Sequence, residues 1–150
     1  IDIEQANPGI EEVGIDLLEH VFAVNTLGTV RVCKALLPLV RKSALPTRGL
    51  IANTTSGLAS MSNPVMMTRY GYMMSKVSIN MLSRGMAFEF AEDGPTVVAW
   101  SPGWVQTRLG TPAATYTLDE GGRGNVTTLK SITRDQSGKV IDMSGKEWSF

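Results

Sequence analysis

Tyr72 and Lys76 stand four residues apart in the stretch YGYMMSK. On a helix that spacing places both side chains on one face a single turn apart, so a phenol and an ammonium lie side by side. A fixed cation close to a phenol favours the phenolate, and a phenol tuned this way can give or take a proton near neutral pH. Ser56, at the end of the apolar run Gly49-Leu50-Ile51-Ala52 and its polar tail, could supply a hydroxyl to hold a substrate oxygen beside it. Taken alone, each feature has an ordinary meaning. A Tyr and a Lys at this spacing usually mark a solvated helix face, and a hydroxyl at a strand end usually caps a turn.

The elements that must position these groups alternate between strand and helix. From about Ile15 to Arg41, Leu17, Leu18, Val21, Phe22, Val24, Leu27, Val30, Val32 and Leu36 recur at helical spacing, predicting one long helix bent near Gly28. A strand near Gly49–Thr54 follows, then a polar, Pro-bearing loop, then a helix from about Tyr70 to Glu92 whose apolar positions cover more than a narrow stripe. Asp93-Gly94-Pro95 closes that helix, and Thr96–Trp100 reads as a short buried strand stopped by Pro102-Gly103. Thr117 with Glu120 three residues later forms a capping signal for a helix running to Ile132, and Lys139–Asp142 reads as a last strand. Trp148 and Phe150 are expected to pack as an anchor. The cluster Gly121-Gly122-Arg123-Gly124 has no strand before it and reads as a turn rather than a phosphate cradle.

Asn25 within Val24-Asn25-Thr26-Leu27-Gly28, then Ser56, then Tyr72-x-x-x-Lys76, then Ser101-Pro102-Gly103-Trp104-Val105-Gln106-Thr107, in that order, resembles the short-chain dehydrogenase/reductase family over nearly the whole chain. SPGWVQTRLG and Ser144-Gly145-Lys146-Glu147-Trp148 look most like its carbonyl-reductase branch, which includes the Sniffer and C-factor proteins. The resemblance implies an α/β fold, the C-terminal part of a Rossmann-like parallel sheet flanked by helices with the N-terminal strands missing. It implies one partial domain over 1–150 that lacks the Gly-rich turn whose amides hold a dinucleotide pyrophosphate.

What the resemblance implies for chemistry is reversible hydride transfer between NADP or NAD, with NADP favoured by the branch, and a small carbonyl compound or secondary alcohol. Tyr72 would donate the proton, Ser56 would hydrogen-bond the same oxygen, and Lys76 would support the phenol and reach the nicotinamide ribose. Asn25 would bend its helix and organise a proton path to Lys76. Pro102, Gly103, Val105 and Thr107 would face the nicotinamide, backbone groups of the turn binding its carboxamide. The two long helices match those that build a homodimer interface in many members, while other members, some in this branch, are monomers. A rival reading is a truncated, inactive fragment or interaction module that pairs with a full-length relative. A nucleotide-sugar epimerase also uses Tyr-x-x-x-Lys, but SPGWVQT and the short tail argue against one.

The loop between Ser56 and Tyr72 is longer than the family's commonest spacing and carries Met61, Pro64, Met66 and Met67. Those methionines suit either an apolar substrate wall or gap-filling core. With 14 acidic and 14 basic residues and 43% hydrophobic content, the chain shows no sign of a nucleic-acid partner or of disorder. One cysteine, Cys33, reads as a small buried hydrophobe, so no disulfide can form within the chain and a reducing, cytoplasmic setting is expected. No uninterrupted apolar run approaches the roughly 18 residues of a membrane span, and His20, the single histidine, is expected on a helix surface.

Overall fold

A computed structural model describes residues 9–45, 47–62 and 69–149. The central strand explains the layout. β2 (Thr96–Ser101) is buried at all six positions, because it carries helices on both faces and a strand on both edges. β1 (Leu50–Thr54) pairs with it in parallel, Leu50 opposite Thr96 through Thr54 opposite Trp100. β3 (Val140–Asp142) pairs in parallel on the other side. β4 (Glu147–Trp148) then returns antiparallel to β3, giving the order β1-β2-β3-β4. The sheet is therefore mixed rather than wholly parallel. β4 is too short to leave a periodic signal, and its pairing depends on the turn at Gly145, where φ is +83°.

Alternation along β2 sends its side chains to two cores. Val98 and Trp100 pack with Ile132 and Ile141, and with Leu129 of α4 (Leu118–Ser131), on one face. Val97 packs with Ala87 and Phe90 at the end of α3 (Tyr70–Glu89), and with Leu37 of α2 (Gly28–Val40), on the other. Helices thus cover both faces of a mostly parallel sheet, the α/β arrangement the sequence implies.

The first long helix is one rod with a defect. α1 (Ile15–Phe22) runs into a π-helical turn at Ala23–Leu27 and continues as α2. The irregularity falls on Asn25 rather than at Gly28, whose own φ and ψ are ordinary for an α-helix. By length and composition Ile15–Val40 is apolar enough to cross a bilayer, which an uninterrupted-run criterion misses because its polar residues are scattered. Here its inner side meets α3: a Cβ at Gly71 would lie 3.1 Å from Leu18 and 3.5 Å from Val21.

Other expectations shift by local chemistry. α3 stops at Glu89, and Arg134 caps that end, donating to the carbonyls of Phe90, Ala91 and Gly94 at 2.6 to 3.0 Å. The glycines at 121, 122 and 124 lie inside α4, not in a turn. The Thr117–Glu120 capping box starts that helix, and Gly121 and Gly124 let it approach Val105 and Met143. Trp148 does anchor the tail, its indole N–H on Asp142 at 2.9 Å and its ring against Gly57. Cys33 is half-buried rather than buried and donates to Asn53 Oδ1 at 3.3 Å, and burial raises its thiol pKa. His20 is exposed. Pro64, Met66, Met67 and Phe150 lie outside the described residues, while Met61 is exposed.

Candidate active site

The carboxyl ends of the adjacent parallel strands β1 and β2 lie side by side, and Thr55 N–H donates to Trp100 C=O at 2.7 Å just beyond the last paired residues. Such paired ends are where ligands bind in open α/β sheets. Ser56 follows Thr55, and the Pro102-Gly103 turn follows β2, so two of the singled-out segments emerge together.

The helix bearing Tyr72 and Lys76 is tied to the same place. Lys76 Nζ donates to the carbonyl of Thr54, the last residue of β1, at 2.9 Å, and Thr55 Oγ1 donates back to the Lys76 carbonyl at 3.2 Å. Nζ lies 5.6 Å from the centre of the Tyr72 ring, within cation–π range. Burial disfavours the charged amine and lowers its pKa from the ordinary lysine value. Lys76 is therefore half-buried and held, not a solvated surface cation.

Ser56 stands at the head of a short turn over Gly57–Ala59, where its Oγ accepts the N–H of Leu58 at 3.2 Å. This is the capping role that a strand-end hydroxyl ordinarily plays. It uses the oxygen's lone pair and leaves the hydroxyl hydrogen to be donated elsewhere.

Asn25 sits in the π turn, a feature often found at functional sites. Its amide donates to Ser75 Oγ at 3.0 Å, and Ser75 Oγ donates to the Tyr72 carbonyl at 2.7 Å. The Asn25 carbonyl accepts Thr29 Oγ1 at 2.7 Å. Asn25 thus reaches the Tyr72–Lys76 turn through Ser75. Sequence reasoning passed over Ser75, although a hydroxyl one residue before the lysine, on a buried helical turn, was a readable signal.

After β2 the chain turns sharply. Gly103 has φ +80°, and a Cβ there would collide with Met143 Sδ. Val105 forms a bridge with Tyr116, and Gln106 N–H donates to Tyr116 C=O at 2.8 Å. Thr107 Oγ1 caps the next turn by accepting Gly110 N–H at 3.0 Å, while the residue itself is exposed. Asn125, also unforeseen, reaches up from α4. Its amide donates to the carbonyls of Pro102 (3.0 Å) and Gly121 (2.7 Å), and its oxygen accepts Trp100 Nε1 at 2.8 Å. Met143 lies beneath Gly103, and its backbone carbonyl accepts Thr128 Oγ1 at 2.8 Å.

Residues 3–117, most of the chain, match the family model for short chain dehydrogenases. The chain belongs to that family. C-signal of Myxococcus xanthus is 34% identical over 130 residues, which cover 87% of this chain and 76% of that protein. 1-Hydroxy-2-glutathionyl-2-methyl-3-butene dehydrogenase of Rhodococcus sp. strain AD45 is 26% identical over 143 residues, covering 91% and 61%. Among solved structures, carbonyl reductase Sniffer of D. melanogaster superposes with a TM-score of 0.90 at 23% identity, over 95% of this chain and 61% of that one. The NADPH-bound carbonyl reductase from chicken fatty liver gives 0.87 at 25% identity, over 97% and 62%. The short-chain dehydrogenase therefore spans about three fifths of the length of either solved chain. These likenesses carry the Rossmann-like fold directly.

Proposed function

We propose that this short-chain dehydrogenase contributes the chemical half of an NAD(P)-dependent oxidoreductase that reduces a small carbonyl compound, or oxidises the corresponding secondary alcohol. The observation that carries this reading is the half-buried Lys76 ammonium, held on Thr54 C=O and set 5.6 Å from the Tyr72 ring at the carboxyl end of β1. A partly desolvated cation beside a phenol, held on the strand end that leads into Ser56, is costly to keep for stability alone and suits proton transfer to an oxygen.

In the direction of reduction Tyr72 donates its phenolic proton to the oxygen on which negative charge develops, and Ser56 donates a hydrogen bond to that same oxygen. Ser56 Oγ accepts from Leu58, so its hydrogen is available. Lys76 retains ammonium donors beyond the one used on Thr54, and these suit the ribose hydroxyls of a nicotinamide nucleotide. Asn25 organises the polar path that ends at the Tyr72–Lys76 turn. Pro102, Gly103, Val105 and Thr107 would line the nicotinamide face, with backbone groups of this turn positioned for the carboxamide. A reduced nicotinamide, when bound, supplies the hydride. The residues fit the nicotinamide and ribose end of such a cofactor, whereas no glycine-rich strand-turn-helix cradle for its pyrophosphate occurs among the described residues. NADP is favoured over NAD by the NADPH-bound chicken enzyme.

The test titrates the 150-residue chain, and a form extended N-terminally to the length of its relatives, with NADPH and NADH while following cofactor fluorescence. The extended form should bind, and the short chain should bind far more weakly. In the extended form Tyr72→Phe should lower turnover by about 10²- to 10⁴-fold with cofactor affinity nearly unchanged. No binding by either form would rule out the oxidoreductase reading, and a wild-type rate in Tyr72→Phe would remove Tyr72 from the chemistry.

A second reading, an interaction module that associates with a full-length relative or with itself, is favoured by one observation. Val32, Leu36 and Leu39 on α2 and Met81 and Phe88 on α3 are exposed, Phe88 at 87%. Sedimentation of the chain alone and mixed with a full-length relative tests it; a monomer unchanged by mixing would dismiss it.

A further inference from the structure

Ser75 is fully buried at the junction of three structural features. Its hydroxyl accepts from the Asn25 amide at 3.0 Å and donates to the Tyr72 carbonyl at 2.7 Å, and its own carbonyl accepts Thr26 Oγ1 at 3.4 Å. Asn25 and Thr26 both belong to the π turn, and Tyr72 lies in the first turn of α3. One hydroxyl therefore joins the defect in the first helix to the turn that carries the phenol and the amine. A serine bonding back along a helix ordinarily offers no gain and tends to bend it. Here both the acceptor and the donor capacity of the oxygen are used, across a sequence separation of fifty residues.

We propose that Ser75 is a positioning residue: it clamps the π turn at Asn25 onto the first turn of α3 and so fixes where Tyr72 and Lys76 stand relative to the end of β1. The surroundings support a clamp rather than incidental contact. A π turn, with its widened backbone ring, is rare and persists where other bonds compensate it. Thr29 Oγ1 on the Asn25 carbonyl and the Asn25 amide on Ser75 supply two such bonds. Gly71 permits the close approach, because a Cβ there would press on Leu18 at 3.1 Å. On the far side of the same turn, Lys76 is bonded at both ends to Thr54 and Thr55. Slack at Ser75 would pass directly to the amine.

The proposal rests on the assignment of Tyr72 and Lys76 to the chemistry, yet it can be read without cofactor or substrate. In the 150-residue chain, two quantities are measured for wild type, Ser75→Ala, Ser75→Thr, Asn25→Ala and the Asn25→Ala/Ser75→Ala pair. One is amide hydrogen exchange over 22–29 and 70–77, with 96–101 as the internal reference. The other is the pH profile of Lys76 acylation, read by mass spectrometry.

Ser75→Ala should speed exchange over 22–29 by about three- to tenfold, the contribution of a buried hydrogen bond. It should also move the Lys76 profile up toward that of an ordinary lysine as water reaches the amine, a change that lost helix stability alone would not single out. Ser75→Thr, which keeps the hydroxyl, should retain the wild-type profile. The pair should be no worse than Ser75→Ala alone, because the Asn25–Ser75 bond is already lost in that variant. Effects that multiply in the pair, or an unmoved Lys76 profile in Ser75→Ala, would overturn the proposal. Should Ser75→Ala fail to fold, Asn25→Ala alone decides, and an unchanged profile there overturns it equally. A chain that shows both shifts while its extended form turns nothing over would sink the oxidoreductase reading and leave the clamp standing.

Discussion

The Tyr72 side and the Pro102 side of the candidate site sit on neighbouring strand ends but are held by different means. Lys76 and Asn25 are secured by side-chain bonds between distant segments: Asn25 to Ser75, Lys76 to Thr54, Thr55 to the Lys76 carbonyl. The Pro102 side is shaped by backbone, through the positive φ at Gly103, the Val105–Tyr116 bridge and the sharp turn at Gly110, with Asn125 as its long-range tie. On the proposed reading the first side moves a proton, which needs a fixed orientation of particular atoms. The second would bind a planar ring through its amides, which needs a fixed chain path, so side-chain identity matters less there than the space for a Cβ.

That contrast breaks most visibly in turnover. In the N-terminally extended form, Lys76→Met should lower turnover by about 10²- to 10⁴-fold, while Thr107→Val, which leaves the backbone in place, should act mainly on KM. Steady-state kinetics of the two variants side by side would break the comparison if Thr107→Val proved the more damaging to kcat.

Backbone space gives the next largest effect. A Cβ at Gly110 would run into the Val105 carbonyl oxygen, so Gly110→Ala should destabilise the fold by about 1 to 3 kcal/mol. At Gly85, an exposed α3 position where an added methyl would meet open space, the same change should stabilise it by about 0.5 to 1 kcal/mol. Urea midpoints moving in opposite directions is the expected result. Asn125→Leu tests the long-range hydrogen-bonded tie on this side: it strands the carbonyl of Pro102 and the indole N–H of Trp100, and should lose about 1 to 3 kcal/mol by the same measurement.

The smallest effect concerns pH. Burial pushes the Asp142 carboxyl upward, but hydrogen bonds from Ser144, Trp148 and Lys146 outweigh it, and its pKa falls below the ordinary carboxylate value. A carboxylate depressed in the folded state stabilises above its unfolded pKa, and that contribution is lost as pH falls through the folded one. The Trp148 corner should therefore loosen on acidification below the ordinary Asp range, and Trp fluorescence against pH should lose that step in Asp142→Asn. Lys76 acts in the same direction but in a higher pH window. With its folded pKa lowered, stability rises as pH climbs from that value toward the ordinary lysine pKa of 10.5, and Lys76→Met should flatten the rise.

Much of the fold was legible because its signals are local. Helical spacing of apolar residues announced the rods at 15–41 and 70–92, the Thr117–Glu120 pair announced the start of α4, and the TVVAW run announced a strand buried on both faces. Misreadings fell where a distant residue decides. α3 ends at Glu89 with Arg134 bonded to the carbonyls beyond it, and α4 keeps its glycines at 121 and 124 where Val105 and Met143 occupy the space a side chain would fill. β4 was invisible because two residues carry no period.

For the site, residue types and their order alone determined that a phenol and an amine share one helical turn and that a hydroxyl and a Pro-Gly turn close two strands, since such spacing is a property of the chain itself. Only the tertiary structure decided that the amine is held by Thr54, that Asn25 bonds to Ser75, and that Asn125 bonds to the carbonyl of the Pro102 turn. Each is a hydrogen bond between segments at least twenty residues apart in the chain, and a bond across that separation exists only once packing has brought its ends within about 3 Å.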